Sequence, residues 1–296
     1  MRKSFFEASA RERLLGVVDP GSLKEFLPPS ARQTSPHLNL LDQPVAFDDG
    51  IIVGAARLDG APILVAAQEG RFLGGAVGEV HGAKLVGLIE RARAAPVAPA
   101  AVLLLFDSGG VRLHEANAGL LAVSEIIRAL LRARRDGLRF IGLIGGSSGC
   151  FGGTGLIARC CDALVISEEG RLAMSGPEVI ETVRGVEEFD SRDRALVWRV
   201  TGGKHRYLLG EVDSFVPDET AAFRAAAIGL LQRPAGLDLE TVEREHAFLA
   251  RRWERFGNCD DAPEIWRELG VPLPLQVPGL AAADFVALAQ PCRDQP

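Results

Sequence analysis

Apolar residues form continuous runs in the middle of the chain, and glycines and then a helix-like segment follow each run. The runs AVLLLF (101–106) and FIGLI (140–144) contain no polar side chain. Such strands are typical of sheets that are buried on both faces. Two further runs, IIVGAARL (51–58) and APILVAAQ (61–68), flank Asp59-Gly60, a pair typical of β-hairpins. The pattern predicts an α/β fold with a buried sheet.

The regions before and after these strands predict further elements. Residues 8–26 read as helical, with Ser9 as the cap of the first helix and DPGSLKEF (19–26) as a turn followed by a short helix. Residues 28–48 contain several prolines and predict a loop. ALVISEEGRLAMS (163–175) predicts two strands around a turn, and GPEVIETVRG (176–185) predicts a short helix.

The character of the chain changes after about residue 216, where strand-like runs give way to helical patterns. DETAAFRAAAIGLLQ (218–232) and LETVEREHAFLARRWERF (239–256) both predict amphipathic helices. The last forty residues carry prolines without a strong pattern, so we expect them to pack loosely or to join an interface. We therefore divide the chain into an α/β domain, 1–218, and a helical C-terminal extension, 219–296.

Glycine pairs stand where strands end and helices are expected to begin, at Gly109-Gly110 and Gly152-Gly153. Glycine lets a ligand approach the backbone closely, and the first amides of a helix can bind a phosphate or an oxyanion. The same glycines also suit tight turns and close packing. A P-loop pattern is absent, and GTGLIA (153–158) does not directly follow its strand, as a dinucleotide fingerprint should. Because two glycine pairs occur at such strand-to-helix junctions in neighbouring strand-plus-helix units, we favour the interpretation that their amides point into a shared cleft.

Composition and charge argue against a nucleic-acid-binding, membrane-spanning or secreted protein. The 296 residues are 47% apolar and 24% charged, with a net charge of −6, so the basic footprint of a nucleic-acid-binding protein is missing. No apolar run reaches the roughly 18 residues of a membrane span. The N-terminus is charged too early for a signal peptide, and we expect a cytosolic protein. The five cysteines lack Cys-x-x-Cys spacing, so we expect reduced thiols, mostly in the core, and no metal site.

Four segments of the chain match the motifs of one known family. SGGVRLHE (108–115) resembles SGGAR[ML]QE, and FLGGAVGEVHGAKL (72–85) resembles MGGSMGxxxGEK. ARERLLGVVDPGSLKEF (10–26) is similar to ARxRI…LLDxGSFxE, and ISEEGRLAMSGPEVIE (166–181) to IAEPxAxIGFAGPRVIE. Over about residues 8–216, and with the segments in the same order, the chain thus resembles the biotin-type carboxyltransferases, as in the acetyl-CoA carboxylase β subunit.

Departures from that pattern indicate one branch of the family. The cysteine zinc ribbon is missing, Glu178 replaces an arginine, and residues 185–206 have no counterpart in ordinary carboxylases. With GEVHGAK, GCFGG and EEFDSRDRALVW, the chain resembles the β subunit of biotin-independent malonate decarboxylase. The alternatives are a biotin-dependent acyl-CoA carboxyltransferase subunit and a non-catalytic scaffold that binds a carrier protein.

This resemblance implies a crotonase-like fold of repeated ββα units, of the carboxyltransferase N-terminal-domain type. It implies a γ subunit that resembles the other carboxyltransferase half, an acyl carrier protein (δ) and an α subunit that exchanges acetyl for malonyl. The substrate would be a malonyl thioester on the CoA-derived arm of the carrier, with no cofactor bound directly to this chain.

Decarboxylation of such a thioester leaves an enolate, which needs hydrogen-bond donors already in place. As donors we expect the amides of Gly109, Gly110, Gly152 and Gly153. As substrate-binding residues we expect Gly74, Gly75, His81, Arg112, Ser175 and Gly176. Arg112 and Glu115 are spaced to pair on a helix that follows Gly110, and Ser108 is placed to cap it.

Overall fold

A single mixed sheet of seven strands organises the computed structural model, which describes residues 3–40, 42 and 49–295. The strands lie side by side in chain order: β1 Lys24–Phe26, β2 Ile51–Leu58, β3 Ala61–Gln68, β4 Ala101–Phe106, β5 Phe140–Ile144, β6 Ala163–Ser167 and β7 Ser214–Val216. β1, β2 and β3 pair antiparallel, and β3 to β7 pair parallel. The predicted hairpin is confirmed, since Leu58 pairs with Ala61, and Asp59 and Gly60 both have positive φ, as a type I′ turn requires.

Helices cover both faces of the sheet. They are α1 Ala10–Val17, α2 Pro36–Leu40, α3 Glu79–Arg93, α4 Ala118–Arg135, α5 Gly152–Arg159, α6 Pro177–Arg184, α7 Arg194–Thr201, α8 Gly203–Leu208, α9 Thr220–Leu230, α10 Leu239–Phe256, α11 Ala262–Glu268 and α12 Ala282–Ala289. Short 3-10 turns lie at Pro29–Ala31, Leu73–Gly75, Leu113–Glu115 and Pro274–Gly279. Ser9 caps α1 in a reciprocal capping box with Glu12, as predicted.

Strand residues alternate between two apolar layers. Val65, Leu103 and Leu105 face α1 and α9, whereas Leu104 and Phe106 face α3 and α4. Because both faces are covered, the strands need apolar residues at every position, which explains the continuous runs. Along the described residues, no helix is both long and apolar enough to cross a membrane.

Isolated β-bridges form a second, much shorter set of pairings beside the parallel strands. Val77 bridges Val111, Ser108 bridges Cys150, and Cys150 bridges Leu172, all in parallel. Each strand-plus-helix unit therefore contains a second extended segment of only one or two residues. The crotonase-like order of repeated ββα units is confirmed, with the second strand of each unit reduced to a bridge.

Several local predictions are wrong. Lys24–Phe26 is a strand rather than a helix, because it pairs with Val53 to Ala55 of β2. The second strand predicted within 163–175 is only the bridge at Leu172 and another at Arg171. The helix after Gly110 does not start at once; it begins at Ala118. The predicted loop 28–48 contains a 3-10 turn and α2, and its residues 41 and 43–48 lie outside the described residues.

The predicted C-terminal helices are confirmed, whereas only two of the five cysteines are buried, although most were expected in the core. All five cysteines are free; Cys150 and Cys161 are buried and the other three are partly exposed. α9 and α10 are both helical, as predicted. The division of the chain at 218/219 stays a prediction.

The last forty residues are not loosely packed. Trp266 and Phe285 are buried in the same apolar layer as α3 and α4. α8 anchors the segment: Trp266 Nε1 donates to His205 Nδ1 at 3.2 Å, and Lys204 Nζ donates to the carbonyl oxygens of Pro278 and Leu280 at 2.8 and 2.6 Å. These contacts cannot be inferred from the segment alone, because its partners lie 61 to 76 residues earlier.

Because His205 is buried at this contact, we expect the folded protein to lose stability in mild acid. Burial, followed by the nearby charge of Arg206, lowers the pKa of His205 from 6.5 to about 3. In the unfolded chain, the His205 imidazole binds a proton below about pH 6.5; in the folded chain, it does so only near pH 3. The free energy of unfolding should therefore fall as the pH drops through this range, by at most about 1.4 kcal/mol per pH unit for this histidine.

The variant His205→Asn tests this effect, because asparagine can still accept the Trp266 hydrogen bond but does not titrate. We expect its melting temperature to fall less than that of the unmodified chain between about pH 7 and pH 5. His114→Asn, at an exposed position, is the control and should leave the pH dependence unchanged. Identical pH dependence in all three proteins would show that His205 does not titrate on unfolding.

Candidate functional site

Three glycine pairs meet at the carboxyl ends of neighbouring parallel strands: Gly74-Gly75 after β3, Gly109-Gly110 after β4 and Gly152-Gly153 after β5. The Gly109 amide donates to the Gly74 carbonyl oxygen at 2.8 Å. A side-chain carbon added to Gly110 would lie 3.5 Å from Gly152 Cα. The three pairs thus form one continuous surface of backbone, called the glycine cluster below.

Glycine is required at most of these positions for conformation or space. Gly75, Gly110 and Gly152 have φ of 66°, 127° and 56°, which other residues rarely adopt. A side chain on Gly75 would also overlap the carbonyl oxygen of Asp107. Gly109 is different, because it is exposed, has an ordinary φ, and a side-chain carbon there would meet only Gly74 O at 3.7 Å. Gly109 therefore marks the open face of the cluster.

The four amides expected as donors are not equally available. The Gly109 amide donates to Gly74 O, the Gly110 amide to Ser108 Oγ at 3.1 Å, and the Gly152 amide to Met174 O at 3.0 Å. Among the described residues, the Gly153 amide has no hydrogen-bond acceptor. It lies in the first turn of α5, where amides lack intrahelical partners. The role of all four amides as donors to an oxyanion stays a prediction.

Ser108 stabilises the glycine turn rather than capping a helix. Its hydroxyl accepts the Gly110 amide, and Thr154 Oγ1 donates to Ser108 Oγ at 2.9 Å. Both side chains are fully buried. This hydroxyl pair joins the loop after β4 to the start of α5.

Arg112 and Glu115 form a buried ion pair 2.9 Å apart, 2% and 0% exposed. Arg112 Nη2 also donates to the carbonyl oxygens of Asp49 and Ala76, each at 3.0 Å. Glu115 Oε2 accepts the Glu79 amide at 2.5 Å and so caps the start of α3. The substrate contact expected of Arg112 stays a prediction; in this structure its guanidinium contacts protein groups behind the cluster.

His81 is buried as well, with its Nε2 3.2 Å from Gln68 Nε2. Burial, and secondarily the charges of Arg112 and Lys84, lower the pKa of His81 to about 3. The imidazole is therefore neutral at physiological pH. A direct contact with a substrate also stays a prediction, and in this structure no part of the side chain reaches the surface.

Ser175 and Gly176 are half-buried and directly precede α6. Their turn adjoins the glycine cluster, because Met174 O accepts the Gly152 amide. Exposed apolar side chains occupy the segments that carry the cluster and α6: Leu73, Leu113, Met174, Val179 and Val183, which are 41% to 80% exposed. Exposed apolar side chains are typical of a surface that binds another protein where they form one contiguous patch.

Sequence reasoning missed a buried ion pair between Arg13 and Asp107. Arg13 Nη1 lies 2.7 Å from Asp107 Oδ2, and the side chains are 2% and 1% exposed. The residues are 94 positions apart, so no local pattern links them. The one available signal was an aspartate directly after the apolar run of β4.

Metal-binding side chains are not grouped in the described part of the chain. Within residues 3–40, 42 and 49–295, no three His, Cys, Asp or Glu side chains are placed to hold a metal ion.

Similarity to known proteins covers most of the chain. Residues 7–227 match the carboxyl transferase domain family. The chain is 44% identical over 254 residues to the malonyl-S-ACP:biotin-protein carboxyltransferase of Malonomonas rubra, covering 82% of this chain and 79% of that protein.

Solved structures of similar proteins point the same way. One is a Pseudomonas malonate decarboxylase hetero-tetramer in complex with malonate, with 36% identity, a TM-score of 0.79, and coverage of 90% of this chain and 97% of that chain. Another is a Pseudomonas malonate decarboxylase MdcD-MdcE hetero-dimer, with 33% identity, a TM-score of 0.65, and coverage of 84% and 96%. This chain therefore belongs to the carboxyltransferase family, as a malonate decarboxylase-related carboxyltransferase subunit.

Proposed function

We propose that this chain carries the decarboxylation site of a malonate decarboxylase complex. In the proposed reaction, a malonyl thioester on an acyl carrier protein loses CO₂ and becomes an acetyl thioester after protonation. The observation that carries this proposal is the glycine cluster, where bare backbone and the unpartnered Gly153 amide meet at the carboxyl ends of three strands. Similarity to the Pseudomonas malonate decarboxylase chains supports it.

The chemistry requires hydrogen-bond donors at the thioester oxygen. When the bond between the carboxylate carbon and the α-carbon breaks, its electron pair moves into an enolate and places negative charge on that oxygen. A preorganised donor is worth about 3–4 kcal/mol to such a transition state. Gly153 is the first donor candidate, because its amide lies at the start of α5 and has no acceptor among the residues that the structure describes. The amides of Gly109, Gly110 and Gly152 would have to exchange their present acceptors for the substrate.

The remaining predicted residues fall into two groups. Gly74, Gly75, Ser175 and Gly176 border the exposed backbone and would line the substrate. His81 and Arg112 would act from behind, by holding the loops in place. Neither a cofactor nor biotin bound to this chain is part of the proposal, because the thioester itself accepts the electron pair.

Partner subunits form part of the same proposal. The exposed apolar residues around the cluster support a protein partner, and both Pseudomonas relatives are hetero-oligomers. The γ subunit would cover the open face of the cluster, the δ carrier protein would deliver the thioester in the cytosol, and the α subunit would reload the carrier with malonyl.

Carboxyl transfer to a biotinyl protein is the second candidate, because the Malonomonas relative is a biotin-protein carboxyltransferase. Both reactions begin with the same cleavage of the malonyl thioester and the same enolate. They differ only in the fate of the carboxyl group, which leaves as CO₂ in one case and moves to biotin in the other. The glycine cluster suits the shared step, so the distinction requires a biotin-specific experiment.

An avidin assay separates these possibilities. The chain is purified with its natural partner subunits, supplied with malonyl thioester on the carrier protein, and assayed for CO₂ release with and without avidin. We expect release at the same rate in both samples. Release that avidin abolishes would identify carboxyl transfer to biotin. An intact complex that consumes no malonyl thioester under either condition would leave only the scaffold role.

A further inference from the structure

The carboxylate of Asp107 lies buried behind the glycine cluster and is surrounded by hydrogen-bond donors. Oδ2 accepts Arg13 Nη1 at 2.7 Å and the Gly70 amide at 3.2 Å, and Oδ1 accepts the Ser148 amide at 2.6 Å. With 1% of its side chain exposed, Asp107 has almost no access to water. A buried charge of this kind depends on its protein partners for stabilisation.

Each of the three segments that meet at this carboxylate leads into one glycine pair. The order along the chain is Gly70 before Gly74-Gly75, Asp107 before Gly109-Gly110, and Ser148 before Gly152-Gly153. The fit is close, because a side-chain carbon on Gly70 or Gly146 would overlap the Asp107 carboxylate. A single side chain therefore links the three loops two to five residues before their glycines.

Arg13 connects this point to the N-terminal helix. Its Nε donates to the carbonyl oxygen of Phe5 at 2.8 Å, and its guanidinium lies 5.4 Å from the centre of the Phe5 ring. The guanidinium is thus held from the N-terminal side and presents one nitrogen to Asp107.

We propose that Asp107 and Arg13 are positioning residues for the reaction: they set the spacing of the three glycine pairs without touching the substrate. The inference rests on the proposed function of the cluster. An asparagine at position 107 would place an NH₂ group where the structure needs an acceptor, so at least one loop must move away from its present donor contact. Displacement of reacting groups by about 1 Å can lower turnover about 100-fold.

A matched ion pair elsewhere in the chain provides the control. Arg134 and Asp162 lie 2.9 Å apart and are 11% and 7% exposed, and Asp162 Oδ2 accepts the Phe140 amide at 2.8 Å. Asp162 directly precedes β6, so this pair lies at the amino ends of the parallel strands, opposite the glycine cluster. Asp162→Asn therefore removes a similar buried charge at a position remote from the site.

The test compares Asp107→Asn with Asp162→Asn, each purified with its partner subunits. For Asp107→Asn we expect kcat to fall about 100-fold with little change in KM, because positioning acts on the transition state. We also expect faster amide hydrogen exchange in the loops that carry the three glycine pairs. Asp162→Asn should keep the kcat of the unmodified complex and the exchange of these loops.

Two results would overturn the proposal: equal kcat in both variants, or unchanged exchange in the three loops of Asp107→Asn. If the unmodified complex does not consume malonyl thioester, the proposed function fails, and hydrogen exchange still decides whether Asp107 orders the loops. If Asp107→Asn does not assemble, Arg13→Lys is used, since it keeps the positive charge and loses the bond to Phe5. A kcat equal to that of the unmodified complex in Arg13→Lys, with unchanged loop exchange, would also contradict the proposal.

Discussion

Replacing Gly109 by alanine should lower turnover of the malonyl thioester by about 100-fold or more while leaving the melting temperature nearly unchanged. The position has an ordinary φ, and the added methyl group would meet only Gly74 O at 3.7 Å, so the fold can accept it. The same methyl group would project from the exposed face of the cluster, where we place the thioester. Gly109→Val should have a larger effect, because its side chain fills more of that face.

The measurement is CO₂ release by the assembled complex, together with thermal unfolding of each variant. Gly229→Ala is the matched control, since no atom of the described residues lies within 4 Å of the added carbon, and α9 packs on the face of the sheet opposite α3 and α4. This variant should keep full activity, and its free energy of unfolding should rise by up to about 1 kcal/mol, because alanine favours a helix more than glycine does. Full activity in both Gly109→Ala and Gly109→Val would remove Gly109 from the substrate surface.

Replacing Glu115 by glutamine should lower the free energy of unfolding by about 3–5 kcal/mol. The change leaves the Arg112 charge without its counter-ion at a site where both side chains are almost completely buried. It also removes the negative charge that accepts the Glu79 amide at the start of α3. Urea unfolding at neutral pH measures the loss directly.

Glu25→Gln provides the control for this second experiment. Arg11 and Glu25 are 2.8 Å apart, but the arginine is 45% exposed, so their interaction is screened by water. An exposed pair of this kind contributes about 0–1 kcal/mol. A loss in Glu115→Gln no greater than that in Glu25→Gln would mean that the Arg112–Glu115 pair does not hold the loops of the site together.

Features that depend on neighbours in sequence were predicted well. The Asp59-Gly60 hairpin closes with the pair Leu58 and Ala61, and Ser9 caps α1 through Glu12, so both features join residues only three positions apart. The buried strands were visible because a sheet covered on both faces needs apolar residues at every position. The glycine pairs at Gly109-Gly110 and Gly152-Gly153 were found for a similar reason, since each lies in the short segment between a strand and the next helix.

Features that depend on distant contacts were missed or assigned differently. Lys24–Phe26 forms a strand only because β2 offers it a free edge. His81 is buried next to Gln68, and Arg112 is buried against carbonyl oxygens of segments 36 and 63 residues earlier, whereas both residue types would equally suit a substrate contact. The same applies to the amides, since the acceptors used by Gly109 and Gly152 are carbonyl groups far away along the chain.

By itself, the sequence determined the α/β class, the family resemblance, and the glycine pairs Gly109-Gly110 and Gly152-Gly153, because each of these depends on short runs of residues. Only the tertiary structure decided that the three glycine pairs meet and that Asp107 and Arg13 form a buried ion pair next to them. It also decided that, of the four expected donors, Gly153 alone has no acceptor for its amide among the described residues. The physical reason is that hydrogen bonds and burial depend on which groups become neighbours in space. Arg13 and Asp107 are 94 residues apart in the chain and 2.7 Å apart in the fold.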